Sequence, residues 1–435
     1  MKATIAVVGL LALASAGLAH VDTLDVNRWR FPLNSYGPFG QGAAWRMPAH
    51  EYLFGCGLWF GAVAGGDTLT SIAYNPNSGA SEFSAGDSLG DSLALVYITP
   101  HRWPPPAERF PRAPQATRAD QDAWTLYHDF DPAGHIAPGR PLGLQVFVNG
   151  YAFDSEAGQD LTFLRFEFEN QSDAALEQCY VGAVFDPDIG DYADDMYGAF
   201  YQRWLRLGGD SLWVDHVAYA WDNNGSEPGW DSVGAVAAFF ITTPGAQGPS
   251  AMKRFTVELD PVTDPAQYLT LAGYDYRTGE YAPFDTTDGQ PADKRFLLAT
   301  GPFDLAPGAC ESLVVAIIGH LPWPDSFGLA RAVARADSLY RFGAAAVAEE
   351  RPVATARLAA RPQPFAASVR IDAGPALAGV LYCELRDVAG RRVRTLERTP
   401  GGAWNWDGRD AAGRAVPAGV YYAVAGGVRL KLVRR

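Results

Sequence analysis

Apolar and polar positions alternate with a period of two over most of this chain, which predicts strands rather than helices. Leu144, Val146 and Val148 alternate with Gln145, Phe147 and Asn149. Leu164, Phe166 and Phe168 alternate with Arg165, Glu167 and Glu169, and Asn170-Gln-Ser-Asp173 breaks the run. The apolar stretch Cys179–Phe185 follows, and the two runs read as a hairpin of a sandwich. Leu53–Val63 is apolar throughout, with glycines spaced between aromatic residues, the pattern of a strand covered on both faces. Gly65-Gly66-Asp67 then predicts a tight turn into Thr68–Tyr74. Further strands are predicted at Ala235–Ile241, Phe255–Leu259, Arg295–Ala299 and Ser312–Ile318, and residues 101–122 read as a long loop. One helix interrupts this pattern. Leu329, Ala332, Val333, Ala336 and Tyr340 recur at steps of three and four, with Asp325 or Ser326 to cap the start and Gly343 to end it. That helix is predicted to pack against the large domain and close it.

The last part of the chain repeats the strand pattern on a smaller scale. Leu381, Cys383 and Leu385 oppose Tyr382, Glu384 and Arg386, and Val420, Tyr422 and Val424 precede Val428, Leu430 and Leu432. Seven or so short strands in residues 363–435 fit an immunoglobulin-like sandwich. The segment 344–362, rich in Ala, Arg and Pro, reads as a linker. The expected fold class is therefore all-β: a β-sandwich-type domain over 20–343, as one sandwich or two sub-sandwiches, with one helix near its end, followed by the small sandwich.

Charge separates the same two parts. Residues 20–362 carry 22 Lys/Arg and 43 Asp/Glu, whereas residues 363–435 carry 12 and 6. An acidic body argues against nucleic acid as its partner, while the basic tail suits an acidic partner or an anionic surface. At the other end, residues 1–19 read as a signal peptide: Lys2, the apolar run Ile5–Ala14, then small residues at Ala14-Ser-Ala16 and Gly17-Leu-Ala19. No other stretch has the ~18 apolar residues of a membrane helix, so no integral membrane segment is expected. The address that follows is secreted or outer cell surface. Cys56, Cys179, Cys310 and Cys383 form no Cys-X-X-Cys pair, which leaves three complete pairings or buried free thiols.

The tail also carries a family resemblance. Pro362-Gln-Pro-Phe365, Leu385-Arg-Asp-Val-Ala-Gly-Arg-Arg-Val393, Trp406-Asp-Gly408, Asp410-Ala-Ala-Gly413, Val416-Pro-Ala-Gly-Val-Tyr-Tyr422 and the basic final strand together resemble the Ig-like domain of flagellar hook-capping proteins. They also resemble the type A C-terminal sorting domain of the type IX secretion system. This resemblance implies a sorting or attachment role at the outer surface, with secretion machinery or a surface component as partner of 363–435. In the body, Gly57-Leu-Trp-Phe-Gly61, Asn75-Pro-Asn-Ser-Gly79 and Val181-Gly-Ala-Val-Phe-Asp-Pro-Asp188 are similar to stretches of secreted bacterial proteins that carry such tails, which implies an architecture and no chemistry.

The strongest candidate chemistry lies in Phe185-Asp-Pro-Asp-Ile-Gly-Asp-Tyr-Ala-Asp-Asp195, where Asp186, Asp188, Asp191, Asp194 and Asp195 follow a predicted strand. Clustered carboxylates repel unless solvated or neutralised. The three readings are a structural Ca²⁺ held by these oxygens, a solvated acidic turn with capping aspartates, and a pair of catalytic acids. Asp222-Asn-Asn-Gly225 is a second contributor or a plain turn. Trp103, Trp221 and Trp230 lie near Pro or Gly and are candidates for stacking on a glycan, against the commoner use of aromatics as core. His50-Glu51 lacks the second His of a zinc-protease motif, and no nucleophile elbow or phosphate loop is present. The chain therefore reads as a non-enzymatic protein of structural or adhesive type. The alternatives are a carbohydrate-binding or carbohydrate-active protein, and a hydrolase whose site has no sequence motif.

Overall fold

The computed structural model describes residues 20–46, 50–343, 358–374, 377, 380–388, 391–399, 402–426 and 428–435. The predicted signal peptide and residues 344–357 of the predicted linker lie outside these. The chain divides into two compact units, Met1–Ala348 and Glu349–Arg435. Among the described residues strands make up 47% and helices 10%, which places the fold in the all-β class.

Two large antiparallel sheets form the body. The nine-stranded sheet runs Asp195–Phe200, Val217–Asp222, Ala235–Thr242, Cys310–His320, Leu161–Asn170, Leu144–Ala152, Gln121–His128 and Ser84–Ala85, with Tyr97–Ile98 also on Gln121–His128. The five-stranded sheet runs Ala251–Thr256, Lys294–Leu305, Leu176–Asp186, Gly55–Ala64 and Asp67–Ile72. One buried cluster joins their inner faces: Leu164, Phe166, Phe168, Val315 and Ile317 meet Leu58, Phe60, Val181, Phe185 and Leu298. Trp29, Phe31, Leu33, Trp45 and Tyr52 of a four-stranded sheet (Val21–Leu24, Trp29–Asn34, Ala43–Trp45, His50–Leu53) extend this core. A single buried cluster thus runs through all three sheets.

The outer faces are covered too. Helix α1 (Asp264–Leu271) lays Leu271 against Trp59, Ile72, Leu297 and Ala299 outside the five-stranded sheet. Outside the nine-stranded sheet, α2 (Ser326–Phe342) buries Leu329, Ala336, Leu339 and Tyr340 against Phe163, Ile241, Ala316 and Ile318. The hairpin Arg203–Leu207/Asp210–Val214 adds Leu205 and Val214 to that cluster. The α2 boundaries agree with the sequence: Asp325 caps the start by accepting from the Gly328 N–H, and Gly343 ends it at φ 80°. The expected 101–122 loop ends at residue 120, because Gln121–His128 is already strand, and it serves as a cover. Phe110 and Ala113 are buried with Tyr97, Trp124 and Leu126. Gln145 and Asn149, which alternation places on a solvated face, are 3% and 7% exposed. Gln145 Nε2 satisfies itself on the Gly86 and Tyr127 carbonyls.

Three expectations need correction. The runs 164–168 and 179–185 do not pair as a hairpin; they sit in opposite sheets, so the chain arches across the sandwich. Phe255–Leu259 is the end of the strand Ala251–Thr256 followed by a 3-10 turn at Val257–Leu259. Helix α1 was not foreseen, because eight residues beginning Asp-Pro show too little period to register.

The C-terminal unit packs a three-stranded sheet (Leu358–Arg361, Val369–Ala373, Ala403–Trp406) on a four-stranded one (Arg392–Glu397, Tyr382–Asp387, Gly419–Ala425, Val428–Arg434). Its own core holds Ile371, Trp404, Trp406, Cys383, Leu385, Ala423 and Leu432. Leu358–Arg361, placed in the linker by composition, is its first strand. All four cysteines are free; Cys310 is exposed and the other three are buried.

The turn at Gly65 (φ 63°) and Gly66 (φ 90°) joins Gly55–Ala64 to its partner as predicted. The glycines within that strand have a steric reason. A Cβ on Gly57 would lie 2.4 Å from Tyr74 Cβ and 2.6 Å from its backbone nitrogen. Gly57→Ala is therefore expected to destabilise the body by about 1–3 kcal/mol through overpacking. Gly209→Ala, where no atom lies within 4 Å, is expected to be neutral. Urea denaturation of the two variants checks both outcomes.

Candidate functional site

The five aspartates of the 186–195 segment do not converge on one point; the fold divides them between two acidic groups and one turn. Asp186 ends the central strand of the five-stranded sheet, directly opposite Gly55. With no side chain on Gly55, whose Cβ would fall 2.4 Å from the Tyr74 ring, the ring packs directly against its backbone. The Tyr74 hydroxyl then donates to Asp186 Oδ2 at 2.7 Å. Arg295, near the start of the neighbouring strand Lys294–Leu305, places Nε 3.2 Å from Asp186 Oδ1 and 3.7 Å from Asp260 Oδ2. Its NH1 pairs with Asp293 Oδ1 at 2.5 Å. Asp186, Asp188 and Asp293 each bring a carboxylate oxygen within 4.8 Å of the others. In this first group one guanidinium faces four carboxyl groups. Burial raises Asp186, Asp188 and Asp260 each to about 7, with Arg295 opposing the shift in all three. The Asp186–Arg295 pair is one of charge more than of hydrogen bonding, since Arg295 Nε and Asp186 Oδ1 are buried without an aligned partner.

Asp191 serves the turn. It is exposed, and its side chain accepts from the Ala193 N–H at the start of the 3-10 turn Tyr192–Asp194. That is the capping role left open by the sequence.

Asp194 and Asp195 turn the other way. Asp195 opens an edge strand of the nine-stranded sheet, and the antiparallel register sets it opposite Asp222. Asp194, Asp222 and Glu227 form the second group, one oxygen from each lying within 4.8 Å of the others. Asp195 is fully buried and accepts from the Ile189 N–H at 3.2 Å. Burial, then the neighbouring Asp188, Asp222 and Asp194 charges, push it to about 9 against the pull of that N–H. Asp222 rises to about 7, first from burial and then from Glu227. Sequence pattern flagged Asp222 through Asp222-Asn-Asn-Gly225 but missed Glu227, Asp260, Asp293, Arg295 and Tyr74, which come from other strands and loops.

The three candidate tryptophans also separate. Trp103 packs on the Phe110–Trp124 cluster. Trp221 stacks with Tyr219 and Trp323 at 5.5 and 5.3 Å on the outer face of the nine-stranded sheet. Trp230 stacks on His50 at 4.1 Å and packs against the inner core. Beside Trp103's cluster lies a cleft of about 370 Å³. Phe110, Trp124 and Phe147 line it together with Gln145, Arg109 and Arg112. Arg112 lies 4.0 Å over the Phe147 ring and pairs with Glu167 at 3.0 Å and with Glu169. No described helix is long and apolar enough to cross a membrane.

No protein-family model and no curated protein matches this sequence. Among solved structures, the chain is similar to a polysaccharide lyase at 10% identity and a TM-score of 0.32, covering 97% of this chain and 47% of that one. It is similar to a protein from Escherichia coli K12 described as an aldose 1-epimerase at 11% identity and a TM-score of 0.32, covering 69% and 99%. A phosphorylase described as acting on kojibiose, from the human microbiome, aligns at 7% identity and a TM-score of 0.26, covering 74% and 30%. The chain thus spans about half the length of the lyase. At these scores the likeness carries no argument about activity.

The first acidic group makes stability depend on pH. Asp186, Asp188 and Asp260 hold protons in the fold that the unfolded chain releases near pH 4, so between pH ~4 and ~7 the folded state binds more protons. Their contribution is full below that window and is lost as pH rises through about 7. The melting temperature at about pH 5.5 is expected to exceed that at about pH 8, and Asp188→Asn is expected to narrow the difference. Calorimetric scans at the two pH values measure it.

Proposed function

We propose that this chain is a secreted or cell-surface bacterial protein of structural or adhesive type, whose C-terminal unit sorts or attaches it. The observation that carries this reading is the separateness of Glu349–Arg435, a compact unit with its own tryptophan-centred core. Its final strand, Val428–Arg434, lies at the edge of its sheet and is basic. A cationic sheet edge suits an acidic partner, and the body carries the opposite charge. The body's outer sheet faces are sheathed by α1, α2, a hairpin and the 101–122 loop, which suits a rigid exported scaffold. Cell fractionation tests the reading. The full chain is expected in the medium or on the outer surface, and removal of 363–435 is expected to leave the body inside the envelope. Full-length chain in the cytosol with residues 1–19 still attached overturns it.

A second reading, carbohydrate binding, is favoured by the cleft at Phe110, Trp124 and Phe147. Phe147 is the partly exposed ring of this cleft, with Phe110 and Trp124 buried behind it, and the Arg109 and Arg112 guanidiniums beside it are donors for sugar hydroxyls. Retention on immobilised polysaccharides is expected to fall about tenfold in Phe147→Ala, the loss of ~1.4 kcal/mol of stacking. Retention equal to wild type, or none in either, removes this reading.

A further inference from the structure

We propose that Asp194, Asp222 and Glu227 hold a Ca²⁺ ion that ties the 187–194 segment to the 223–230 segment at the edge of the nine-stranded sheet.

The first argument is how the oxygens are shared out. Asp194 Oδ2 accepts from Asn224 Nδ2 at 2.6 Å, and Asp222 Oδ1 accepts from the Gly225 and Ser226 N–H groups. The remaining oxygens, Asp194 Oδ1 and Asp222 Oδ2, are buried and accept no hydrogen bond. Asp222 is 2% exposed, so water does not serve its free oxygen from bulk. Donors therefore fix one oxygen of each carboxylate and leave the other for a partner the protein does not supply. A buried acceptor left this way costs ~1–3 kcal/mol, more when charged.

The second argument is the absence of an internal counter-ion. Arg295 lies in the first acidic group, beside Asp186, Asp260 and Asp293. Among the described residues, no Lys or Arg forms an ion pair with Asp194, Asp222 or Glu227. The register adds to the crowding, because Asp195 stands directly across from Asp222 and brings a further buried carboxyl group beside it.

The third argument is the space made for Glu227. Gly190 has φ 76°, and a Cβ there would fall 2.1 Å from Glu227 Cδ. The absence of that atom brings the Glu227 carboxylate against the turn, where its Oε1 accepts from the Asp191 N–H at 3.0 Å. Three carboxylate oxygens within 4.8 Å of one another fit around one Ca²⁺, whose Ca–O distances are ~2.3–2.6 Å and whose remaining positions take carbonyl oxygens or water. The alternative neutraliser is a proton shared between carboxyl groups, and it predicts no response to calcium.

Calorimetric titration of chelator-treated full-length protein with CaCl₂ tests the proposal, together with its melting temperature at rising Ca²⁺. Wild type is expected to bind one Ca²⁺ and to melt at a temperature that climbs with calcium concentration. Asp222→Asn and Glu227→Gln are each expected to weaken binding at least tenfold, and Asp188→Asn to leave it unchanged. Glu227 is only half-buried, so Glu227→Gln decides the matter should Asp222→Asn fail to fold. No binding to wild type, wild-type affinity in Glu227→Gln, or loss of binding in Asp188→Asn overturns the assignment.

Discussion

Carboxyl groups buried at strand ends have to be neutralised, and the acidic end of this sandwich is organised around how that is done. Asp186 sits at the end of the most central strand of its sheet with its side chain 1% exposed. An isolated carboxylate there is untenable. Arg295, itself 6% exposed, answers it from the adjacent strand, and the Tyr74 hydroxyl answers its second oxygen. The same device recurs along that sheet edge. Lys294 meets Asp288 at 2.7 Å with both side chains 4% exposed, and Lys253 meets Asp285 at 2.7 Å. Buried pairs of this kind are poor sources of net stability but costly to break from one side. They fix which strands are neighbours more than they strengthen the sheet.

Close approach is the second half of this arrangement. Tyr74 reaches Asp186 only because Gly55 offers no side chain, and Glu227 reaches the 190–194 turn only because Gly190 offers none. Aromatic rings and charged groups thus occupy the volume that glycines vacate. The Gly-aromatic texture of Gly55–Ala64 is therefore a packing code that serves the acidic end as well as the core.

The parts of this architecture that depend on local periodicity were legible in the sequence. Leu161–Asn170 keeps Arg165, Glu167 and Glu169 partly exposed against a buried Leu164, Phe166 and Phe168, as alternation requires. Helix α2, with its Asp325 cap and Gly343 stop, was equally plain. What periodicity cannot report is which strand lies beside which. The partners of Asp186 come from residues 74, 260, 293 and 295, and those of Asp194 from 222 and 227, through registers that no single segment encodes. Tertiary cover hid a second layer. Gln145 and Asn149 look like solvent positions in the alternation, yet both are buried in the fold. The tryptophans misled for the same reason, since nearness to Pro or Gly in sequence says little about which of several aromatic clusters a ring will join.

The division of one acidic segment into two groups follows from a single geometric fact: the chain changes sheet between Asp186 and Asp195. Asp186 belongs to the five-stranded sheet and Asp195 to the nine-stranded one, so the intervening turn has to cross the open end of the sandwich. Carboxylates on the near side meet the basic residues that begin Lys294–Leu305. Those on the far side meet the end of Val217–Asp222 and the 223–230 loop, which is itself acidic at Glu227. The same loop carries Trp230 back onto His50 and Tyr52, at 4.1 and 5.3 Å. Whatever neutralises the far side therefore also decides how firmly that loop, and the aromatic stack behind it, is held against the four-stranded sheet. Charge neutralisation and closure of the sandwich end are in this sense one requirement, met on one side by a guanidinium that the sheet supplies and, as we propose, on the other by a cation drawn from solution.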